Sequence, residues 1–220
     1  MTDTREEFGR LLSLYDGVLI AAAAVVFAVV LFALVRYRRR EGQAASGRSD
    51  APVVESLYAL TLALVAAVLV AFTFRAEDRV TRVVDDPGLR IDVTAFKWQW
   101  RFAYPGKGVR PVVGSEGAPA RLVVPADTTI GFTLTSRDVI HSFWVPETRF
   151  KRDAFPKRTT QFDLVFSERG TFTGRCAEFC GLRHADMTFT VEVLSPASFR
   201  SWLAQRRTRS RAQARGAGQP

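Results

Sequence analysis

The chain has few of the side chains that bind metals or redox groups: among 220 residues there are two cysteines, two histidines and two methionines, one of them Met1. No Cys-x-x-Cys-His segment occurs, which excludes a covalently attached haem, and no paired Cys-x-x-Cys knuckles occur, which excludes the common four-ligand zinc sites. Charge is missing from two segments. Gly17 to Val35 runs for 19 residues, and Leu57 to Phe74 for 18, without an Asp, Glu, Lys or Arg. A helix needs about 20 apolar residues to cross a bilayer core, and a long helix of a soluble protein would carry a polar stripe that both segments lack. Both are therefore read as membrane spans.

The leader before the first span, residues 1–16, holds four acids against two arginines, and no small-residue cleavage site follows it, so the span is expected to stay as an anchor. Between the spans, residues 36–52 hold five arginines against Glu41 and Asp50. Arginine-rich loops stay in the cytoplasm, so both termini and everything after Phe74 are expected outside a cell membrane crossed twice. The excess of 31 basic over 22 acidic residues, net +9, would suit nucleic acid. Location argues against that reading, because the cytoplasmic share is one short loop whose arginines serve as an orientation signal. A second basic run, RRTRSRAQARGAGQP, closes the chain and reads as a solvated tail able to touch anionic lipid.

From Leu89 to Leu194 the pattern changes to short alternating stretches bounded by Gly, Pro, Asp and Ser, which predict a sandwich or barrel of many short strands. In Arg121 to Ser136, Leu122, Val124, Ile130, Phe132 and Leu134 fall on period-two positions that can face one core. The expected organisation is a membrane-anchored all-β protein: a helical hairpin over 1–78 (spans 17–35 and 57–74), an extracytoplasmic β domain over 79–197 and a basic tail over 198–220, with a short helix from Ser198 to Arg207.

Three of the four cysteines and histidines crowd into Cys176-Ala-Glu-Phe-Cys-Gly-Leu-Arg-His-Ala-Asp-Met187. Thiolates from Cys176 and Cys180, imidazole from His184 and a thioether from Met187 make a soft donor set that suits copper. In an oxidising compartment the two cysteines could instead pair as a disulfide. The histidine and methionine at ligand spacing favour metal, and His141, in RDVIHSFWVPE, supplies a second imidazole. A mononuclear blue-copper site uses one cysteine, whereas a second thiolate four residues away can bridge two ions. The inventory suits two coppers better than one.

CAEFCGLRHADM, with DVIHSFWVP and AFKWQWRFAYPG upstream, closely resembles the copper-binding subunit II of cytochrome c oxidases, and the likeness extends from the first span to about Leu194. The resemblance implies a cupredoxin-like β-barrel carrying a binuclear copper A centre. Cys176 and Cys180 would bridge both ions, His141 and Met187 would complete one, and His184 with the backbone carbonyl of Glu178 the other. The Glu178 side chain would also reach a magnesium ion shared with subunit I. Trp98 matches the residue through which donors hand over electrons; read alone, Trp98 and Trp100 would alternate on a strand and pack, one inward and one outward. Glu55 resembles a glutamate that helps admit protons to the catalytic subunit, although a glutamate at a helix start is commonly a surface charge facing the helix dipole.

The implied function is electron input to an aerobic respiratory oxidase: electrons from cytochrome c pass through this subunit to haem in subunit I, where oxygen is reduced to water with proton translocation. Lys97, Lys157 and Thr188 depart from the family pattern at a glutamine, a turn glycine and a proline, and none removes a ligand. Residues 75–220 carry 24 basic and 15 acidic residues, a net +9. A basic soluble cytochrome c is usually met by an acidic face, so an acidic or membrane-tethered donor is expected. The competing reading is a membrane-anchored copper-delivery module. A quinol-oxidising subunit II would lack the copper ligands, and a nitrous oxide reductase would lack the two-span anchor.

Overall fold

A computed structural model describes residues 3–38 and 50–216, with side chains through residue 213. The chain divides into two compact units, residues 8–78 and the outer domain from residue 79, which also takes in residues 3–7.

The first unit holds helices α1 (Thr4–Arg36) and α2 (Pro52–Thr81). At 1.5 Å per residue, the 33 residues of α1 extend about 50 Å, more than a bilayer core requires. Many apolar side chains of both, among them Leu19, Phe27, Leu34 and Leu60, are exposed among the described residues. That is the expected state of a helix whose solvent is lipid. The Thr73 hydroxyl donates to the Leu69 carbonyl at 2.9 Å, so the Tyr15 hydroxyl, 2.7 Å away, donates to Thr73 and ties the helices together. Glu55 turns back to accept from the Ala51 N–H at 3.2 Å, capping the start of α2. The expected cytoplasmic loop lies largely in 39–49, outside the described residues.

The outer domain is two five-stranded sheets packed face to face. One is built from β1 (Leu89–Phe96), β2 (Gln99–Ala103), β3 (Val112–Val113), β5 (Ile130–Ser136) and β8 (Thr160–Leu164), in the order β3-β2-β1-β5-β8. The other has β4 (Ala120–Pro125), β6 (His141–Val145), β7 (Phe150–Ala154), β9 (Gly170–Cys176) and β10 (Thr188–Leu194), ordered β4-β10-β9-β6-β7. Pairs β1/β5 and β4/β10 are parallel and the others antiparallel, so hairpins such as β1–β2 and β6–β7 alternate with crossovers between the sheets. Strand β5 alternates buried and half-buried residues as its sequence predicts, sending Ile130, Phe132 and Leu134 inward. These meet an aromatic centre: Phe143 stacks on Phe189 at 4.9 Å, Phe132 on Phe162 at 5.0 Å, and Trp100 lies edge-on to Phe189 at 5.2 Å. Gly174 makes room for this centre, since a Cβ there would lie 2.1 Å from the Phe189 ring.

Strand β4 departs from alternation, with Leu122, Val123 and Val124 all buried. The cause is the C-terminal segment. Instead of a short helix to Arg207 followed by a solvated tail, α3 runs from Pro196 to Gly216, and Phe199 and Leu203 on its first turns join the core. Covering both faces of β4 removes the polar face that the alternation presupposes. Tyr104 completes the edge: its hydroxyl accepts from the Val123 N–H at 2.9 Å and donates to the Val123 carbonyl at 3.0 Å, while its ring lies 5.3 Å from Trp202 of α3. An edge strand's orphan backbone groups are thus satisfied by one side chain. Lys157, noted above at a turn-glycine position, has φ +59°, the left-handed conformation that glycine adopts without steric cost.

Candidate metal centre

The Cys176–Met187 segment is a loop closed at its base. Cys176 is the last residue of β9, Met187 immediately precedes β10, and the Cys176 N–H donates to the Met187 carbonyl at 2.9 Å. Pairing of β9 with β10 therefore brings the two ends of the ligand run together without any metal. Strand β6 pairs beside β9, and its first residue, His141, arrives next to Cys176.

Donor atoms converge there. The two thiol sulfurs are 3.9 Å apart. Cys176 Sγ lies 3.8 Å from His141 Nδ1 and 3.2 Å from the Glu178 carbonyl oxygen, while Cys180 Sγ lies 3.5 Å from His184 Nδ1 and 3.8 Å from Met187 Sδ. Cys176, Cys180, Met187 and His141 are buried, His184 is half-buried, and the Glu178 side chain is exposed. The sulfurs stand well beyond the disulfide length of about 2.05 Å, and both are free thiols. Their spacing is less than twice a metal–thiolate bond of about 2.3 Å, so one ion can touch both. The donor chemistry and this spacing fit copper.

The electrostatics point the same way. Burial opposes ionisation of Cys176 most strongly of any single effect, but its bonds with His141, the Glu178 and Ser142 backbones and Cys180 together outweigh it and bring the thiol down to about 7. Burial and the neighbouring Cys176 push Cys180 up to about 12. The pair gives up one proton readily and resists losing the second, so two thiolates require the charge of a bound cation. Burial also works against protonated His141, but Cys176 and Asp138 together raise its pKa above the ordinary imidazole value.

Two features escaped the sequence reading. Asp138 was not singled out, yet its Oδ1 lies 2.8 Å from His141 Nε2, leaving Nδ1 turned toward the thiols. Its other oxygen accepts from the Lys97 N–H at 2.7 Å. A carboxylate three residues before a ligand histidine, in a tight turn, was the available signal. Trp98 lies in the two-residue turn between β1 and β2 rather than on a strand, half-buried, while Trp100 is fully buried. The Trp98 indole N–H donates to the Cys180 carbonyl at 3.2 Å. Gly181, at φ +113°, packs under the indole, where a Cβ would stand 3.5 Å from the ring. A cleft of about 440 Å³ opens beside it, lined by Lys97, Glu116, Arg183 and Asp186.

Residues 116–194 match the family model described as cytochrome C oxidase subunit II, periplasmic domain. The chain is 31% identical to a probable cytochrome c oxidase subunit 2 of Streptomyces avermitilis, over 92% of this chain and 76% of that protein.

The chain belongs to the cytochrome c oxidase subunit II family.

Cytochrome c oxidase subunit 2 of Mycobacterium tuberculosis is 29% identical, over 88% of this chain and 70% of that one. Among solved structures, the periplasmic domain of subunit II of cytochrome oxidase (CoxB) of Bradyrhizobium japonicum superposes with a TM-score of 0.53 at 29% identity, covering 58% of this chain and 99% of that domain. The same domain in a mixed disulfide with thioredoxin-like TlpAs superposes at 0.51, with 29% identity over 58% of this chain and 96% of that one. The outer domain is cupredoxin-like, as the resemblance implied, and the chain is a subunit of an oxidoreductase.

Proposed function

We propose that this chain is the electron-input subunit of an aerobic respiratory terminal oxidase, accepting electrons from a cytochrome c and passing them to haem in subunit I, where oxygen is reduced to water with proton translocation. The observation that carries the proposal is the convergence of Cys176, Cys180, His141, His184, Met187 and the Glu178 carbonyl on one buried point beneath an indole. These six would hold a binuclear copper A centre, which supplies one-electron chemistry with little change of ligand geometry. The protein's own share is positional. Asp138 fixes His141, the β9–β10 pair fixes both ends of the loop, and the aromatic core excludes water from behind. Trp98 links the charged cleft to the Cys180 backbone through one hydrogen bond, which supports it as the point of electron uptake in this reading.

Phe179 and Leu182, on the same loop as Glu178, are both exposed. An apolar pair beside a free carboxylate suits a contact with subunit I in which Glu178 helps hold magnesium. The α1–α2 hairpin would anchor the chain in the cell membrane, with the copper domain and both termini extracytoplasmic. The domain's net positive charge favours an acidic or membrane-tethered cytochrome as donor. In the purified oxidase, this chain is expected to hold two coppers with the electron-spin signature of a mixed-valence pair, and to keep them against a chelator. One copper, or a Cys176–Cys180 disulfide in the active complex, would overturn the assignment. Copper lost readily to chelator, with no haem subunit copurifying, would mark a copper-delivery module instead.

A further inference from the structure

The chain contains no acidic residue after Glu192, yet α3 holds six arginines. Arg206, Arg209, Ser210 and Gln213 fall at i, i+3, i+4 and i+7, on one face of the helix. That face looks onto the β2–β3 side of the barrel and, with Arg101 and Arg110, lines an open cleft of about 720 Å³. Its walls are held in place: the Arg110 N–H donates to Ser210 Oγ at 3.0 Å, the Arg110 guanidinium donates to Gln213 Oε1 at 3.2 Å, and Arg206 lies 6.0 Å over the Trp202 ring. No acidic residue lines the cleft. Among the described residues, none of these four arginines has an ion-pair partner.

Packing α3 on the barrel thus gathers four positive charges that oppose one another, a cost that a bound anion relieves. A planar guanidinium grips phosphate oxygens with two parallel hydrogen bonds, and several converging on one cleft match a ligand with more than one phosphate charge. We propose that the cleft between α3 and the β2–β3 edge is a binding site for a phosphate-bearing polyanion. The source is either a soluble oligophosphate or the headgroup of an anionic phospholipid, which offer the same chemistry.

The test uses the full chain in neutral detergent at low ionic strength, titrated by calorimetry with sodium tripolyphosphate and, separately, with a short-chain, micelle-soluble cardiolipin. At least one probe is expected to bind saturably at one site per chain, and the one that does identifies the source. Arg101→Gln with Arg209→Gln should weaken that binding at least about tenfold, since two charge-assisted contacts are lost. Neither guanidinium is bonded elsewhere among the described residues, so the fold should be kept, which a melting curve checks. The same number of charges removed on another face, Arg158→Gln with Arg169→Gln, should leave binding unchanged. If neither probe saturates, or if both double variants lose affinity equally, the site does not exist.

Discussion

His141 Nε2 is held 2.8 Å from Asp138 Oδ1, and the other oxygen of the same carboxylate takes the Lys97 N–H at 2.7 Å. One residue thereby fixes both the ring that faces Cys176 and the turn that carries Trp98. A carboxylate behind a ligand histidine sets its tautomer and orientation, and its loss commonly costs about 10- to 100-fold in metal affinity. Asp138→Ala should weaken copper binding by that order and broaden the centre's spectrum, whereas Asp138→Asn, which keeps an acceptor for the ring N–H, should lose less. Chelator competition measures both. Equal affinity for the alanine variant and the parent would show that the loop alone orients His141.

Trp98 reaches the centre through a hydrogen bond to the Cys180 carbonyl, and none of its described hydrogen bonds is to a donor side chain. Trp98→Phe should therefore keep both coppers and their spectrum but slow electron uptake from the donor, with donor binding barely changed. Stopped-flow reduction separates these quantities. Uptake at the parent rate would move the role to another residue, with Trp100 the first to test.

Met187 is fully buried with its sulfur 3.8 Å from Cys180 Sγ, and is proposed as a weak thioether ligand. Met187→Leu conserves volume, so the fold should survive, while the ion that the thioether caps changes potential and the pair loses symmetry. Donor binding should be normal, as in the Trp98 variant, but the spectrum should be altered and onward transfer impaired, where the Trp98 variant keeps its spectrum and slows uptake. An unchanged spectrum would remove Met187 from the ligand set.

How much of this could be read from the sequence varied with the range of the interactions. The clustering of Cys176, Cys180, His184 and Met187 was legible because local chain spacing and soft-donor chemistry single it out, and β5 was legible because a strand with one buried face must alternate. Asp138 left a local signal in its spacing to His141, three residues on, but its hold on the turn that carries Trp98 is a contact across 41 residues that no local pattern encodes. Helix α3 was underestimated for a related reason: its arginine-rich composition reads as solvated, and only the docking of Phe199 and Leu203 on β4 gives its first turns a core to join.

That docking brings Tyr104 under α3 as well. Burial raises the Tyr104 pKa far above the ordinary phenol value, so its hydroxyl stays protonated and can donate to the Val123 carbonyl while accepting from the Val123 N–H. Tyr104→Phe leaves two buried backbone groups unpaired, and each such loss costs about 1–3 kcal/mol. Thermal unfolding should show a clear drop in stability with the copper spectrum intact. A loss below about 1 kcal/mol would mean that water reaches the β4 edge.

Asp163 provides a pH test independent of the metal. Its side chain on β8 is fully buried, with Oδ2 accepting from the Val84 N–H at 2.7 Å and Oδ1 unpartnered. Burial raises the carboxyl's pKa, only partly offset by the Val84 bond and the charge of Arg90. A carboxyl whose pKa is higher in the folded than in the unfolded state favours folding while it is protonated. Its contribution is therefore complete below the ordinary aspartate value of about 3.9 and is lost as the pH rises through the higher folded value. Asp163→Asn keeps an acceptor for Val84 and cannot ionise, so it should leave stability near pH 4 almost unchanged and raise it near pH 7. Melting temperatures of the parent and the variant, measured across that range, should diverge with increasing pH. A gap that stays constant, or that closes as the pH rises, would mean that Asp163 is charged in the fold without cost and that its free oxygen is solvated.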